Sequence, residues 1–473
     1  MSFILNPFIF EQLEDFYERI LTMPYTYNAF AVSGVVETKV IRIPYTYNFN
    51  IYVNLETYKI VKMPYTYGWL TTANNESYFL KLFPYTYSSN VEPTSSGLGT
   101  STVPYYIWNA YDLNNVRTKD SRSYFKVMAD IDMSGYTNFV PLPKLHGDFN
   151  GNNKKISNLR ITIVSASFYG LFSQYYPTSS NVFIHDLILD NVLIEHTESF
   201  LPSAQNYYGC VVGYYQGYTS YKSFVKNCHV INSTINLSGS NANNGHSVGG
   251  LIGFVSSLGG VESCSVQNSN IYVYPTSLLS NIGYAGGLVG QIDSIYQPIS
   301  SSFVSKTTVY ARRSTDNGTS VGGIVGSSKS SIFNSYVFSC SVSTTGSLRS
   351  NGIADGYGDI TTCYAHANSG SFSIPTTSEF YPMSNDLATS SCYYDYEYGN
   401  GIVSGAGVPL SSSQMILSES FDGFDFVNIW TSSLDKQNNY PYLISLADKV
   451  AYTTASVAPI NQDGYPYLSY ETF

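Results

Sequence analysis

Charge is scarce in this chain. Of 473 residues only 12% are charged, with 23 Lys and Arg against 33 Asp and Glu, giving a formal net charge of −10. Such a balance excludes a nucleic-acid-binding face, which needs concentrated basic side chains to displace counterions. Long apolar runs are missing too. None approaches the roughly 20 residues that span a bilayer as a helix, so no transmembrane helix is expected. The opening MSFILNPFIFEQLEDFYERI has neither a basic start nor a small-residue cleavage site, and no secretory signal is expected there. The six cysteines, at 210, 228, 264, 340, 363 and 392, never fall in C-x-x-C spacing. That removes the usual zinc arrangements and leaves buried, inert thiols as the expectation. No G-x-S-x-G, H-E-x-x-H or phosphate-loop motif is present. No metal or cofactor is expected, and the chain is expected not to be an enzyme.

What is abundant points one way. Hydrophobic residues reach 43% and aromatics 16%, too apolar for a disordered coil. The 45 tyrosines, set among Ser, Asn, Thr and Gly, suit pleated strands and tight turns better than helices. An all-β fold is expected.

Two different repeats organise the sequence. The first is PYTY, with prolines at Pro24, Pro44, Pro64 and Pro84, in four units of twenty residues. Within a unit an alternating stretch such as FNIYV, a polar middle such as NLE and a second alternating stretch read as strand, turn, strand. Proline ends the pairing because it has no N–H to donate. A twenty-residue unit cannot bury its own apolar face, so it stacks on its neighbours or on other chains. The second repeat begins near residue 156 and combines an I-x-N-C-x-V type strand with a glycine-rich one. One column reads Ile156, Ile184, Val225, Val261, Ile299, Ile332, Ile360 and Thr389; three residues on, the next reads Leu159, Leu187, Cys228, Cys264, Ser302, Ser335, Cys363 and Cys392. The glycine-rich strands close on Gly213, Gly253, Gly290 and Gly326. Stacking these units as coils predicts a right-handed parallel β-helix, with glycine serving both sharp turns and tight spaces.

The segments VGGLIG (Val248 to Gly253), AGGLVG (Ala285 to Gly290) and VGGIVG (Val321 to Gly326), with the lead-in GDFNGNNKKI and the exit FDFVNIWTSSLDKQNNYPYL, resemble the GLUG-motif repeat proteins of bacteria and phages. The resemblance covers about residues 107 to 445 and implies a β-helix with a surface-adhesive or structural habit. It implies no reaction.

The expected organisation is an N-terminal anchor at 1–22, helical around FEQLEDFYERIL; a PYTY β region forming a shaft or stalk at 23–106; a β-helix cap at 107–155; coils at 156–400; and a closing segment at 401–473. In the last, NNYPYL is echoed by DGYPYL, a closing element that would blunt the open edge of the final coil. Asp130, Asp132, Asp148 and His146 lie in the cap pattern, where turn and capping roles outweigh catalysis. Asp186, Asp190 and Glu195 share one coil without a visible meeting point. The candidate ligand-binding residues are Tyr214, Tyr215, Tyr218, Tyr221, Tyr393, Tyr394 and Tyr396, since tyrosine offers a rigid amphipathic face to sugars and proteins.

These features predict a non-enzymatic structural and adhesive protein, a phage-type fibre or spike at a virion surface. Its expected partners are further copies of the chain, a trimer being favoured, other virion or surface proteins, and a cell-surface glycan. A bacterial cell-surface adhesin, extracellular rather than virion-borne, and a polysaccharide-degrading tailspike are the alternatives; a carboxylate pair about 5 to 10 Å apart in a groove along the β-helix would favour the tailspike.

Overall fold

The structure is a computed structural model. It describes the strands between Ile9 and Pro93 named below, and residues 97–450 apart from 164–167, 180, 197–205, 218–222, 240–245, 276–282, 313–319, 346–348, 369–378, 385–388, 400–404 and 434. The chain divides into two units, Met1–Trp108 and Asn109–Phe473.

In the first unit the PYTY period becomes a strand register. Ile9–Phe10, Thr26–Ser33, Tyr45–Val53, Tyr65–Ala73 and Ser89–Pro93 form one parallel sheet; Ile20–Thr22, Val40–Arg42, Tyr58–Ile60 and Tyr78–Leu80 form another. Thr26 pairs with Thr46, Tyr45 with Tyr65 and Trp69 with Ser89, so equivalent residues of successive repeats are neighbours. Of the two ways a repeat could find a neighbour, these pairings realise the one within the chain. Where a short helix is expected around FEQLEDFYERIL, Phe10 and Ile20–Thr22 are strand; residues 11–19 and the four PYTY prolines lie outside the described residues.

The second unit is a parallel β-helix. One coil consists of Ile184–Asp190 and Leu193–His196 in a 22-stranded sheet, Asn206–Tyr208 in a 7-stranded sheet and Val212–Gln216 in a 6-stranded sheet. Each strand pairs in parallel with its counterpart one coil away, so Ile184, Val225, Val261, Ile299, Ile332, Ile360 and Thr389 form one column. The column is buried from Ile184 to Ile360. Removing such side chains from water, at ~25 cal/mol per Å², is what holds the coils together.

The corners show why the repeat contains N-C and N-S. Asp186, Asn227, Ser263, Ser301, Asn334, Thr362 and Ser391 all take φ between 47° and 54°, a left-handed conformation that Asn and Asp accept more readily than most residues. The residue that follows each of the last six is Cys or Ser. Its side chain returns a hydrogen bond to the carbonyl two residues back, as Ser302 Oγ does to Ser300 at 2.8 Å and Cys264 Sγ to Glu262 at 3.2 Å. It also accepts an N–H from the preceding coil: Cys228 N reaches Cys264 Sγ at 3.4 Å, and Cys264 N reaches Ser302 Oγ at 3.0 Å. The six thiols are free and buried, and burial pushes those of Cys210 and Cys340 up to about 12.

Two expectations change here. Ile156 pairs with Leu189, not Ile184, which faces Phe149 instead. The GDFNGNN turn explains the shift, because Asn152 and Asn153 are both left-handed and the register slips between Asn150 and Lys154. The motif glycines are also not there for positive φ. A Cβ on Gly253 would meet the backbone N of Tyr208 at 2.4 Å, and one on Gly290 the backbone O of Gly253 at 2.4 Å. Only a missing side chain lets these strands approach so closely.

The closing segment makes a second core outside the coils. The outward column His229, Ser265, Phe303, Tyr336, Tyr364, Tyr393 turns from polar to aromatic along the rod. Met415, Phe421, Trp430, Tyr440, Tyr442, Leu443, Leu446 and Val450 bury its aromatic half. Tyr440 of the NNYPYL piece packs on Phe338 and His366, with ring centroids 5.3 and 4.7 Å apart, and Tyr364 Oη donates to Pro441 O at 2.5 Å. This piece covers the side of the coils; DGYPYL, the element expected to blunt the open edge, lies outside the described residues.

Candidate binding surface

The tyrosines singled out in the sequence separate sharply by burial. Tyr215 is 0% exposed and its hydroxyl donates to Ser223 Oγ at 2.9 Å; burial raises its pKa above that of an ordinary phenol. Tyr394 is 1% exposed, and Tyr393 is buried against Phe421 and Phe424 with its hydroxyl on Asp422 O. These three present no face to a ligand, a correction that follows from their facing the interior or the second core. Tyr396 is half-buried, with its hydroxyl 3.5 Å from Glu397 Oε1. Tyr218 and Tyr221 lie outside the described residues. Tyr214 is half-buried, but its ring joins a pile with Tyr207 (5.5 Å), Phe168 (5.3 Å) and Phe254 (5.6 Å). Coil stacking therefore turns adjacent aromatic residues face to face, and the ring faces a sugar would need are largely taken by one another.

The acidic candidates are held in structural roles. Asp132 accepts from Ser134 N, Ser134 Oγ and Asn158 Nδ2, and Asp130 accepts from Lys155 N. His146 Nδ1 lies 2.7 Å from Tyr176 O. Asp190 and Glu195 pair with Lys155 and Arg160 at 3.1 and 3.3 Å. Asp148 and Asp186 are brought together by His185, whose Nε2 and Nδ1 lie 3.2 and 2.7 Å from them. Burial alone would lower the His185 pKa, but hydrogen bonds and charge from the two carboxylates outweigh it and raise it. The two carboxylates thus favour the protonated form of the imidazole. A polar chain continues through Asn227 to His229 and Ser265, where His229 is buried beside Lys449.

Two surface features remain open. At one corner, Tyr296 and Tyr357 are 69% and 88% exposed, with Ile295 at 64%. The same loops carry an ion pair between Lys329 and Asp293, which holds the Lys329 pKa up. Lys329 N donates to Ile292 O, and Tyr357 N to Ser328 O, so the loops of three successive coils carry the group on a fixed backbone. The sequence reading missed these tyrosines because they are isolated rather than clustered. The available signal was their punctuation, Gly356-Tyr357-Gly358 and Tyr296-Gln297-Pro298, which places each in a tight connection. The second feature is a cleft of about 610 Å³ beside the cap, between the turn at Ser134, Tyr136 and Thr137 and the corner residues Asn158 and Asn191. No group of His, Cys, Asp and Glu suited to a metal ion occurs among the described residues.

No family model matches the sequence, and no curated protein matches it. Among solved structures, a Bacteroides ovatus protein provisionally named an immunoglobulin A1 protease shares 18% identity over 74% of this chain and 95% of its own, with a TM-score of 0.43. A structure named IgA1 protease shares 13% identity over 61% of this chain and 21% of its own, with a TM-score of 0.40. These names run against the expectation that the chain is not an enzyme, and that expectation is withdrawn. At such identities and scores the likeness carries no reaction over to this chain.

Proposed function

We propose that this chain is a surface-attachment protein, a fibre or spike component of a phage-type virion, whose β-helix presents the Tyr296 and Tyr357 corner to a host surface. The observation that carries the reading is the exposure of two tyrosines and an isoleucine on loops of three successive coils that also carry an ion pair. Large exposed apolar side chains grouped with polar ones mark contact sites, and a rigid scaffold lowers the entropy lost on contact. The acidic, tyrosine-rich composition and the resemblance to GLUG-motif proteins fit that use. Assembly into a homo-oligomer, with a trimer favoured, belongs to the same proposal, and light scattering on the full chain reads it directly.

Antibodies raised against the full chain test the virion assignment. Gold labelling of purified particles and loss of host attachment in the presence of Fab fragments are expected. Labelling of bacterial cells instead of particles would replace this reading with a cell-surface adhesin.

A further inference from the structure

We propose that the cleft beside the cap binds a short, uncharged oligosaccharide. The site is distinct from the tyrosine corner. It adds a ligand class to the attachment reading, on which it rests for its biological use alone.

The amides explain why a hydroxyl-rich ligand fits. Asn158 Nδ2 donates to Asp132 Oδ1 at 2.7 Å, and Asn191 Nδ2 donates to Asn158 Oδ1 at 2.7 Å. An asparagine side chain has two N–H donors and a carbonyl oxygen with two lone pairs. Each amide therefore uses part of its capacity along the rod and keeps a donor and an acceptor for the cleft. A sugar hydroxyl donates and accepts at once, which matches such half-used groups; a phosphate or a carboxylate only accepts.

Charge points the same way. Arg160, in the cleft wall, is paired with Glu195 at 3.3 Å, and both Asp132 oxygens are engaged by Ser134 and Asn158. Arg160 is thus the one charged residue among those lining the cleft, and it is paired; the nearby Asp132, held by neutral donors alone, keeps its negative charge and disfavours an anion. Tyr136 supplies the apolar wall, held by edge-on contact with Phe139 at 6.2 Å. Polar groups converging around one aromatic side chain are the usual make-up of a sugar subsite, where C–H faces meet the ring and hydroxyls meet the amides.

The test is saturation-transfer NMR on the full chain. The probes are linear oligomers of glucose, galactose, mannose and N-acetylglucosamine, two to four units long, alongside a sialylated trisaccharide. Transfer to the ring protons of at least one neutral oligomer is expected, with affinity reduced about tenfold or more in Tyr136→Leu and Asn191→Asp. Thr137→Lys, an exposed position whose new side chain would fill the cleft, serves as the second variant should either of these misfold. No transfer from any neutral oligomer, transfer only to the sialylated probe, or transfer undiminished in variants of wild-type circular dichroism would each overturn the proposal. Adhesion through Tyr296 and Tyr357 would survive that result, so the two readings fail separately.

Discussion

The outward column that begins at His229 and Ser265 and continues through Phe303, Tyr336, Tyr364 and Tyr393 compares two halves of one surface on one backbone. The polar half satisfies itself by side-chain hydrogen bonds within and between coils: His229 lies 2.9 Å from Asn227 Oδ1 of its own coil and 2.9 Å from Ser265 Oγ of the next. The aromatic half cannot do so, and closing-segment residues between Met415 and Val450 lie over it. A β-helix thus has two apolar demands, one inside the coils and one wherever an outward column turns aromatic. The second is met by chain far away in sequence.

The largest expected effect breaks that cover. Trp430 is fully buried between Tyr336, Tyr364 and Phe424. Trp430→Ala should cost about 3–5 kcal/mol, read as a lower urea midpoint with earlier proteolysis of the closing segment. Tyr272→Ala, a half-buried outward residue in an earlier coil, should cost far less.

Acid acts on both halves next. His366 is stacked 3.6 Å from Tyr398 with Tyr440 of the closing segment against it, and Asp395 lies 3.8 Å from its Nε2. Burial lowers the pKa of His229 and His366 to about 4, with Lys449 adding to the effect at His229 and Asp395 opposing it at His366. The unfolded chain then binds more protons between pH 6.5 and 4. Their stabilisation is fully present above pH 6.5 and lost as pH falls towards 4, about 3 kcal/mol for each. His185 has the opposite sign: its pKa is raised, so its contribution is present below pH 6.5 and lost as pH rises through the folded value. Urea unfolding followed by Trp fluorescence at stepped pH should show stability falling with acid. His366→Phe should flatten the fall.

Smaller effects probe the corners and the glycine strands. Gly253→Ala places a methyl against the backbone of two strands of the preceding coil and should cost about 1–3 kcal/mol. Cys264→Ser copies what Ser302 and Ser335 already do in the same column and should change stability by less than about 1 kcal/mol. A large loss on Cys264→Ser would show that the thiol does more than cap the corner.

How much of this was legible follows the same division. The Ile184 to Ile360 column and the N-C and N-S corners are local, periodic patterns, and they reappear as strand register and left-handed turns. Ile156 was misplaced because two left-handed asparagines in succession shift the register without interrupting the hydrophobic pattern. The tyrosine reading failed for Tyr215, Tyr393 and Tyr394 because composition does not say which side of a coil, or which half of a covered column, a residue occupies. Tyr296 and Tyr357 escaped for the converse reason. Their significance lies in loops of different coils that only the stack brings near each other.

The measurement that bears most directly on attachment is adhesion of the full chain to intact host cells, wild type beside the Tyr296→Ser, Tyr357→Ser double variant. Both residues are exposed and should not affect folding. The account predicts at least a tenfold loss of binding, about 1.4 kcal/mol, with an unchanged unfolding midpoint. Equal binding by the two proteins would contradict it and move the contact surface elsewhere on the rod.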